Sequence, residues 1–408
     1  MTASRVVVAG AGPAGAALSY LLARRGVEVT LVERQTDFAR EFRGEVLMPS
    51  GIDAFTQMGL GREFASLPQR AVTRVEIYLG ARPLFDAEIP RAAIDAGGVR
   101  IVSQPAMLEM LAAQASRFPT FRLLRGATVR DLLTTAGRVS GVRIDSSDGP
   151  IELGADLVVG TDGRSSVVRK RSGLDEERTP QSFDIVWAKL PLPPFLADGT
   201  TARVHLGQRH FTLAFPSYDG RLQIGWVIAK GSFGALRQTG IAGWIETMSA
   251  HVSPDLAAHL RACRDAVSHP FLLDVMCDRL VRWTAPGLCL LGDAAHPMSP
   301  VGGQGINIAL RDALVAANHL CPLLAGGAGH AEIDDAAARV AVERLREVSV
   351  IQRLQQAPPE ILFGDSWWSR VLVARLLPLL FRTGVAPLFL AATFRRFANG
   401  VTTVRLEA

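Results

Sequence analysis

The hydrophobic pattern of the first 33 residues predicts a strand, a helix and a second strand. Val6, Val7 and Val8 form a β-branched apolar run, which is typical of a strand buried on both faces of a sheet. A helical run continues to Arg25, and residues 27–32 predict the second strand. The chain therefore opens with the first unit of an α/β fold.

Further along the chain, the same patterns predict a mixture of helices and strands. Residues 104–116 carry an apolar face at helical spacing, and residues 156–160 predict a buried strand. Between residues 182 and 228, apolar residues alternate along the chain, which indicates a mixed or antiparallel sheet. Residues 288–291 predict another buried strand, and residues 307–320 the helix after it. The remainder is mostly helical.

Three glycines follow the first predicted strand as Gly10-x-Gly12-x-x-Gly15. Gly10 permits a tight turn, Gly12 lets a pyrophosphate approach the backbone, and Gly15 lets helix and strand pack closely. The helix N-terminus then directs its free N–H groups and positive dipole at the phosphates. Glu33 ends the next strand, where a carboxylate accepts hydrogen bonds from an adenosine ribose. The stretch predicts a dinucleotide site for either FAD or NAD.

Two later corners follow the same design, in which a buried strand ends at a ligand-facing loop. Asp162-Gly163 comes directly after residues 156–160, and small hydroxyl residues and a helix start follow it. Gly292-Asp293 comes directly after residues 288–291. The glycine-rich residues 300–305 then lead into a helix, and glycines there leave room for a bulky ligand.

The three corners, in this order, resemble the FAD-dependent monooxygenases of the para-hydroxybenzoate hydroxylase class, the single-component flavoprotein aromatic hydroxylases. The resemblance runs from about residue 6 to residue 320, and it implies FAD rather than NAD as the bound cofactor. It also implies a Rossmann-like FAD-binding fold with an inserted mixed β-sheet substrate domain and C-terminal helices. In the implied reaction, NAD(P)H reduces the flavin and O₂ forms a C4a-hydroperoxide, which hydroxylates or epoxidises the substrate.

The resemblance also implies roles for individual residues. The implied cofactor-binding residues are Gly10, Gly12, Pro13, Ala14, Gly15, Glu33, Arg34, Arg43, Gln104, Val129, Asp162, Gly163, Gly292, Asp293, Pro300, Gly303, Gly305, Ile306 and Asn307. Glu33 would hold the ribose, Val129 would meet the adenine through its backbone, and Asp293 would bind the ribityl chain. Many relatives carry Arg where this chain has Gln104. The implied catalytic environment of flavin and peroxide is Pro300, Gly302 and Gly303, with no protein nucleophile.

Aromatic and apolar residues of the strand-rich segment are candidates for contact with an apolar, aromatic small-molecule substrate. They are Trp187, Phe211, Leu213, Phe215 and Trp226. Aromatic residues on alternating strands are equally common in protein cores, so both roles stay open for each of them. His296 lies inside the Gly-Asp corner, and we interpret it as a structural residue that bonds a loop carbonyl.

Four segments are expected along the chain. They are a first FAD-binding part at residues 1–180 with small inserted strands at 72–102, a substrate-binding sheet at 181–284, a returning FAD-binding part at 285–330, and C-terminal helices at 331–408. Residues 361–397 are apolar and rich in Arg. Such a segment either rests on a membrane surface or packs on the core or on a partner subunit, and its two prolines favour packing.

Composition excludes several other classes of protein. The 408 residues are 48% hydrophobic and carry a net charge of +5, yet Lys170, Lys189 and Lys230 are the only lysines. The basic residues are spread along the chain, which argues against a nucleic-acid partner. The four cysteines lack the spacing of a metal site, and no apolar run of membrane-spanning length or signal peptide is visible. We therefore expect a cytoplasmic protein without a metal.

Two other flavin chemistries use a similar fold. A flavin halogenase of this kind carries Trp-x-Trp-x-Ile-Pro, and no two tryptophans have that spacing here. A reductase of polyprenyl groups uses no oxygen and stays open as an alternative, and a non-enzymatic flavoprotein would have no use for an intact cofactor site. The choice of NADH or NADPH and the oligomeric state stay open as well.

Overall fold

A computed structural model describes residues 4–39, 45–95, 97–147, 149–207, 210–267, 270–363 and 376–407. Its strands are β1 (Arg5–Ala9), β2 (Glu28–Glu33), β3 (Val46–Leu47), β4 (Gln69–Val72), β5 (Arg74–Leu79), β6 (Arg82–Glu88), β7 (Val99–Val102), β8 (Phe121–Arg125), β9 (Thr128–Thr135), β10 (Arg138–Ser146), β11 (Gly149–Gly154), β12 (Leu157–Gly160), β13 (Glu176–Glu177), β14 (Phe183–Pro191), β15 (Thr201–Gly207), β16 (His210–Pro216), β17 (Arg221–Ala229), β18 (Phe271–Leu273), β19 (Arg279–Leu280), β20 (Thr284–Ala285) and β21 (Leu288–Leu290).

The helices alternate with these strands in the first half of the chain and dominate its end. They are α1 (Pro13–Arg24), α2 (Pro49–Gln57), α3 (Gly61–Ala65), α4 (Arg91–Asp95), α5 (Gln104–Ala115), α6 (Val167–Ser172), α7 (Phe233–Gln238), α8 (Gly240–Ser249), α9 (Pro254–Ala262), α10 (Gly305–Gly326), α11 (His330–Phe363), α12 (Leu377–Arg382) and α13 (Val385–Asn399). Short 3₁₀ turns precede α10 at Gly292–Ala294 and Val301–Gly303.

A six-stranded sheet of order β20-β21-β12-β1-β2-β8 forms the centre of the fold. All of its pairs are parallel except β20 with β21. Parallel strands are covered on both faces, and for that reason β1 and β12 read as continuous apolar runs. Helix α1 packs against α5 and α10 in the main hydrophobic core. The parallel sheet with helices on both faces is the expected α/β, Rossmann-like architecture.

A seven-stranded sheet of order β18-β14-β17-β16-β15-β5-β6 forms a second layer. It is mixed, because β15 pairs with β5 in parallel while its other pairs are antiparallel. Strands β5 and β6 come from the segment expected to hold only small inserted strands, and they extend this same sheet. The expected segment boundaries at residues 180, 284 and 330 stay a prediction.

The two faces of the seven-stranded sheet meet different neighbours. On β17, Leu222, Ile224 and Trp226 pack in a buried cluster with Trp244 of α8 and Leu256 of α9. Side chains alternate between the faces of a strand, so the intervening residues face the other way. Trp226 therefore belongs to the layer between sheet and helices. Of the two roles left open for Trp226, the structure supports the core role, because its side chain packs with Trp244 and Leu256.

The C-terminal helices bring apolar side chains both to the core and to the surface. Phe381 of α12 lies against Phe85 of β6 with ring centroids 5.4 Å apart, and Phe397 of α13 is buried. In contrast, Leu388 and Phe389 are 74% and 67% exposed. Residues 364–375, including Trp367 and Trp368 of the expected apolar segment, lie outside the described residues.

One helical stretch, Val301–Gly326, has the length and apolarity of a membrane span. Of its most apolar window, 72% is buried inside the fold. This stretch contains α10, whose residues from Ile306 to Leu324 contribute to the main core. The helix is therefore apolar because it packs between α1 and the other core elements.

Candidate functional site

The turn between β1 and α1 is built by two close approaches of backbone. Gly10 has a φ of +102°, and a Cβ there would lie 2.6 Å from the carbonyl oxygen of Thr161. A Cβ at Gly15 would lie 2.1 Å from the carbonyl oxygen of Gly10. Any side chain would push helix and strand apart at both positions. At Gly12 the nearest such atom is 3.9 Å away, so this residue leaves open space in front of the helix N-terminus.

Glu33 ends β2 beside this turn and is 3% exposed. Its Oε2 accepts a hydrogen bond from the backbone N–H of Ala11 at 3.0 Å, and its Oε1 accepts one from the N–H of Gln35 at 3.0 Å. These two bonds fix the carboxylate at the mouth of the glycine turn. The predicted neighbourhood of acid and turn is therefore present in the fold.

The Asp162 side chain holds the start of α6 in place. The Asp162 carboxylate accepts hydrogen bonds from the N–H groups of Val167 and Val168 at 2.7 and 3.1 Å, and from the hydroxyl of Ser166. It thereby satisfies free donors at the start of α6. The neighbouring Gly163 has a φ of +81°, and a Cβ there would meet nothing within 4 Å. Its backbone is thus open to a ligand.

Gly292 and Asp293 form the third corner at the end of β21. The N–H of Gly292 donates to the Asp312 carboxylate at 3.0 Å, and Asp293 pairs with Arg164 at 3.2 Å. His296 also contacts Asp312, with its Nε2 2.7 Å from Oδ2. His296 is therefore structural as interpreted, but its partner is a buried carboxylate and not a loop carbonyl.

The turn after Pro300 is held in a left-handed backbone conformation. Gly302 and Gly303 have φ values of +73° and +62°. A Cβ at Gly302 would lie 2.8 Å from the ring of Phe397, and one at Gly303 would lie 3.0 Å from Cβ of Val46. The turn is thus enclosed by α13 on one side and by β3 on the other, and larger residues would displace both.

Helix α10 begins directly after this turn without a side-chain cap. A Cβ at Gly305 would meet nothing within 4 Å. Asn307 serves the framework, because its Oδ1 accepts from the N–H of Met48 at 2.8 Å and its Nδ2 donates to the carbonyl of Gly303 at 2.7 Å. Its side chain is fully occupied by these bonds. The expected contact of Asn307 with the cofactor stays a prediction.

A cavity of about 620 Å³ connects the three corners with the seven-stranded sheet. The predicted residues that line it are Gly10, Gly12, Pro13, Ala14, Glu33, Arg34, Gln104, Val129, Asp162, Gly163, Trp187, Phe211, Leu213, Phe215, Gly292, Asp293, Pro300, Gly302, Gly303, Gly305 and Ile306. Gly15, Trp226 and Asn307 are not among its lining residues. Arg43 lies outside the described residues.

Gln304, Gln223 and Glu45 are among the lining residues that the sequence reasoning missed. Gln304 is 1% exposed, and its Nε2 donates to the carbonyls of Gly302 and Phe397 at 2.9 and 3.2 Å, which fixes the turn. Gln223 is equally buried on β17. Glu45 lies just before β3, and burial raises the pKa of its carboxyl to about 7. No local spacing in the sequence marked Glu45 as a residue of the cavity.

The donor set of the cavity fits FAD. Two uncapped helix N-termini, those of α1 and α10, border it, and the open positions at Gly12, Gly163 and Gly305 lie along it. Helix N-termini carry unpaired N–H groups and positive dipole ends, which suit a pyrophosphate and an electron-rich ring edge. Among the residues that the structure describes, no cluster of metal-ligating side chains occurs.

Comparison with known proteins agrees with this geometry. Residues 3–345 match the model of a family described as FAD binding domain. The chain is 31% identical over 406 residues to 6-methylpretetramide 4-monooxygenase of Streptomyces rimosus, with 99% of this chain and 94% of that protein covered. It is 26% identical over 400 residues to digeranylgeranylglycerophospholipid reductase 1 of Methanopyrus kandleri, with 92% and 91% covered.

Among solved structures, PqsL of Pseudomonas aeruginosa in complex with 2-aminobenzoylacetate is similar with a TM-score of 0.76. The sequence identity is 24%, and 90% of this chain and 99% of that chain are covered. The likeness supports the fold. The match of residues 3–345 and the 31% identity over 99% of the chain show that the protein belongs to the FAD binding domain family.

Within that family, the protein is an FAD-dependent monooxygenase that acts on a small molecule. FAD is its cofactor, and NAD(P)H and O₂ are its co-substrates. When bound, the flavin supplies the redox chemistry and the activated oxygen atom. The protein's own residues bind and orient both partners and exclude water from the reacting atoms.

Proposed function

We propose that the protein hydroxylates an apolar, aromatic small molecule that binds between the flavin and the seven-stranded sheet. The observation that carries this proposal is the composition of the cavity wall opposite the Gly302–Gly303 turn. Trp187, Phe211, Leu213 and Phe215 all present side chains to the cavity from β14 and β16. An apolar wall with few polar groups binds aromatic compounds and keeps water away from the reacting oxygen.

The cofactor contacts belong to this proposal. The α1 N-terminus would hold the pyrophosphate, and Glu33 would hold the ribose. Val129 would contact the adenine through its backbone. Arg34 and Gln104 would contact the cofactor elsewhere along its length. The Asp162 carboxylate already caps α6, so Asp162 and Gly163 would contact the cofactor through their backbone. Asp293 would bind the ribityl chain while its pair with Arg164 fixes its direction. Pro300 and residues 302–306 would lie beside the flavin ring.

Oxygen transfer to a defined product tests the proposal. The purified holoenzyme would be screened for NAD(P)H oxidation stimulated by 1-naphthol, by other phenols, by 6-methylpretetramide and by 2-aminobenzoylacetate. We expect the active compound to gain one oxygen atom, with the label of ¹⁸O₂ in the product. Label that enters only water with every stimulating compound would contradict hydroxylation.

A polyprenyl-type reductase is the second candidate, and the full-length similarity to a digeranylgeranylglycerophospholipid reductase supports it. Such an enzyme would reduce an alkene without consuming oxygen. The same assay under anaerobic conditions with a polyprenyl alkene separates the two, because only the reductase forms product there. An alkene that gains labelled oxygen in air would instead indicate epoxidation.

The exposed apolar residues of α12 and α13, including Leu379, Leu388 and Phe389, are suited to a membrane surface or to a partner subunit. Sedimentation with anionic vesicles tests the first, and the mass in solution tests the second. Location in the cytoplasm stays a prediction.

A further inference from the structure

A group of four polar side chains lies at one end of the cavity, next to the seven-stranded sheet. The turn of Val301–Gly303, which the proposed function places beside the flavin ring and which we call the flavin-facing turn, borders the same end. Lys189 of β14 places its Nζ 2.9 Å from Oδ2 of Asp219 and 3.5 Å from Oε1 of Glu45. The hydroxyl of Ser217 donates to Oε2 of Glu45 at 3.2 Å. Ser217 and Asp219 belong to the tight turn between β16 and β17.

Only one member of this group lines the cavity and is also fully buried. The side chain of Glu45 is 1% exposed and that of Lys189 is 6% exposed, whereas that of Asp219 is 32% exposed. Glu45 lines the cavity, and Asp219 does not. The group therefore runs from the cavity wall towards the surface, with Lys189 between the two carboxylates.

The charges of the group favour a proton on Glu45. Two carboxylates share one ammonium, and the shorter contact of Lys189 is with Asp219. Burial raises the pKa of Glu45, Lys189 and Ser217 lower it in part, and Asp219 raises it further, to about 7. When Glu45 takes up a proton, Lys189 keeps Asp219 as its partner, so no buried charge is left unpaired. Both protonation states of Glu45 are thus tolerated.

The position of Glu45 is also suitable for contact with a substrate. The next residue, Val46, lies against the Gly303 position of the flavin-facing turn. On the other side, Gln223 is the cross-strand neighbour of Lys189, and it too lines the cavity. In the described part of the chain, the buried Oε1 of Gln223 has no hydrogen-bond partner. This end of the cavity therefore combines a carboxylate with a second polar group beside the aromatic wall.

We propose that Glu45 is the general base that accepts the proton of a phenolic hydroxyl on the bound substrate. The ion pair of Lys189 and Asp219 positions the Glu45 carboxylate for this transfer. The inference rests on the proposed function and assigns its proton acceptor. It also narrows the substrate class to aromatic compounds that carry a hydroxyl group on the ring to be oxidised.

The proton transfer balances with the known co-substrates. The O–H bond of the phenol breaks, its proton moves to a carboxylate oxygen of Glu45, and the electron pair stays on the phenolate oxygen. That pair increases electron density in the ring, which forms a C–O bond with the oxygen atom delivered from O₂. The ring carbon then loses its hydrogen as a proton. NAD(P)H supplies the two electrons, and the second oxygen atom leaves as water.

The experiment compares holoenzymes of the wild type, Glu45→Gln and Glu28→Gln over a range of pH, with 1-naphthol as the probe. Glu28 is an exposed carboxylate on β2 and serves as the matched control. General base catalysis contributes about 100- to 10,000-fold. We expect Glu45→Gln to form product at least about 100-fold more slowly at pH 7.5, while its FAD content equals that of the wild type.

The shape of the pH profile separates a base from a structural residue. Without Glu45, the rate should recover only as the pH approaches the pKa of the free phenol, near that of tyrosine at about 10. Asp219→Asn removes the carboxylate that raises the pKa of Glu45, so the acid limb of its profile should move to lower pH. A loss in Glu45→Gln that is equal at every pH, or no loss beyond that of Glu28→Gln, would overturn the inference.

Failure of the proposed function gives a different result. In that case the wild type itself forms no oxygenated product from 1-naphthol or from any other phenol. If the wild type forms product and the Gln variant behaves like the control, hydroxylation stands and the role of Glu45 is refuted.

Discussion

At the scale of single residues, the buried Glu45 carboxyl makes stability depend on pH. Its pKa in the folded protein is about 7, because burial outweighs the attraction of Lys189. The ordinary value is 4.5. A carboxyl with a raised pKa binds its proton more tightly in the folded state. Its contribution to stability is therefore complete below pH 4.5 and is lost as the pH rises through 7.

As the pH rises from 4.5 to 7, we expect the free energy of unfolding of Glu45→Gln to increase relative to that of the wild type. The variant lacks the titration, and the difference should be on the order of 3 kcal/mol across this window. Urea unfolding at pH 5 and pH 8 measures it, with Glu28→Gln as the control. A difference between variant and wild type that is the same at both pH values would show that Glu45 titrates normally in the fold.

Two acidic residues illustrate what sequence reasoning reaches at this scale. The position of Glu33 follows from a local design, since a strand, three glycines, a helix and an acid lie within about 30 residues of each other. The position of Glu45 depends on Lys189, which is 144 residues away. No local spacing in the sequence indicates that Glu45 and Lys189 form a pair. The first was therefore predictable and the second was not.

At the scale of secondary structure, the order of strands and helices was predictable and the facing of one strand was not. The alternation along β17 indicated two faces. It did not say which face the cofactor layer would meet. Trp226 was a candidate for the cavity side of the strand, but its side chain lies on the opposite face. Gly225 lies on the cavity side. A Cβ at Gly225 would lie 2.7 Å from the Trp187 ring, so the glycine makes room for an aromatic wall.

Helix α10 carries a prediction of its own. Its 22 residues begin directly after the flavin-facing turn, without a side-chain cap at the N-terminus. The N-terminus of such a helix favours negative charge on a reduced flavin. Gly305→Asp places a carboxylate there, in a position with free space for a side chain. We expect a lower midpoint potential and slower reduction by NAD(P)H, with the helix itself intact because acids suit a first turn.

Spectroelectrochemical titration of the bound FAD measures this change. Gly305→Asn provides the uncharged control of similar size and should leave the potential close to that of the wild type. If the Asp and Asn variants have the same potential, the helix N-terminus does not act on the flavin ring.

At the scale of the whole molecule, a buried charge network joins α10, α11 and the C-terminal residues. Arg344 donates to Asp312 at 2.7 Å and also contacts Glu347. Arg311 forms two bonds with Glu347 at 3.0 and 2.9 Å. The N–H of Val401 donates to the same carboxylate at 2.7 Å. The network reaches the cofactor site, since Asp312 also accepts from Gly292.

Arg344→Met should therefore destabilise the fold strongly. The change leaves two buried carboxylates with one arginine, and removing one partner of a buried pair costs about 3–5 kcal/mol. Urea unfolding of the holoenzyme measures the loss. Arg339→Met, at an exposed position of the same helix, should be close to neutral. Equal stability of the two variants would mean that the network contributes little.

The enclosure of the flavin-facing turn by α13 has a consequence for the biosynthesis of the protein. Residues that line the cavity run from Gly10 to Phe394, and Phe397 lies against Gly302. A ribosome that has completed β1, α1 and β2 has therefore made less than half of the wall, and the missing part emerges last. FAD can stabilise only chains that bind it. The wall of the cavity is therefore complete only in chains that extend through α13, and we expect full FAD affinity only in such chains.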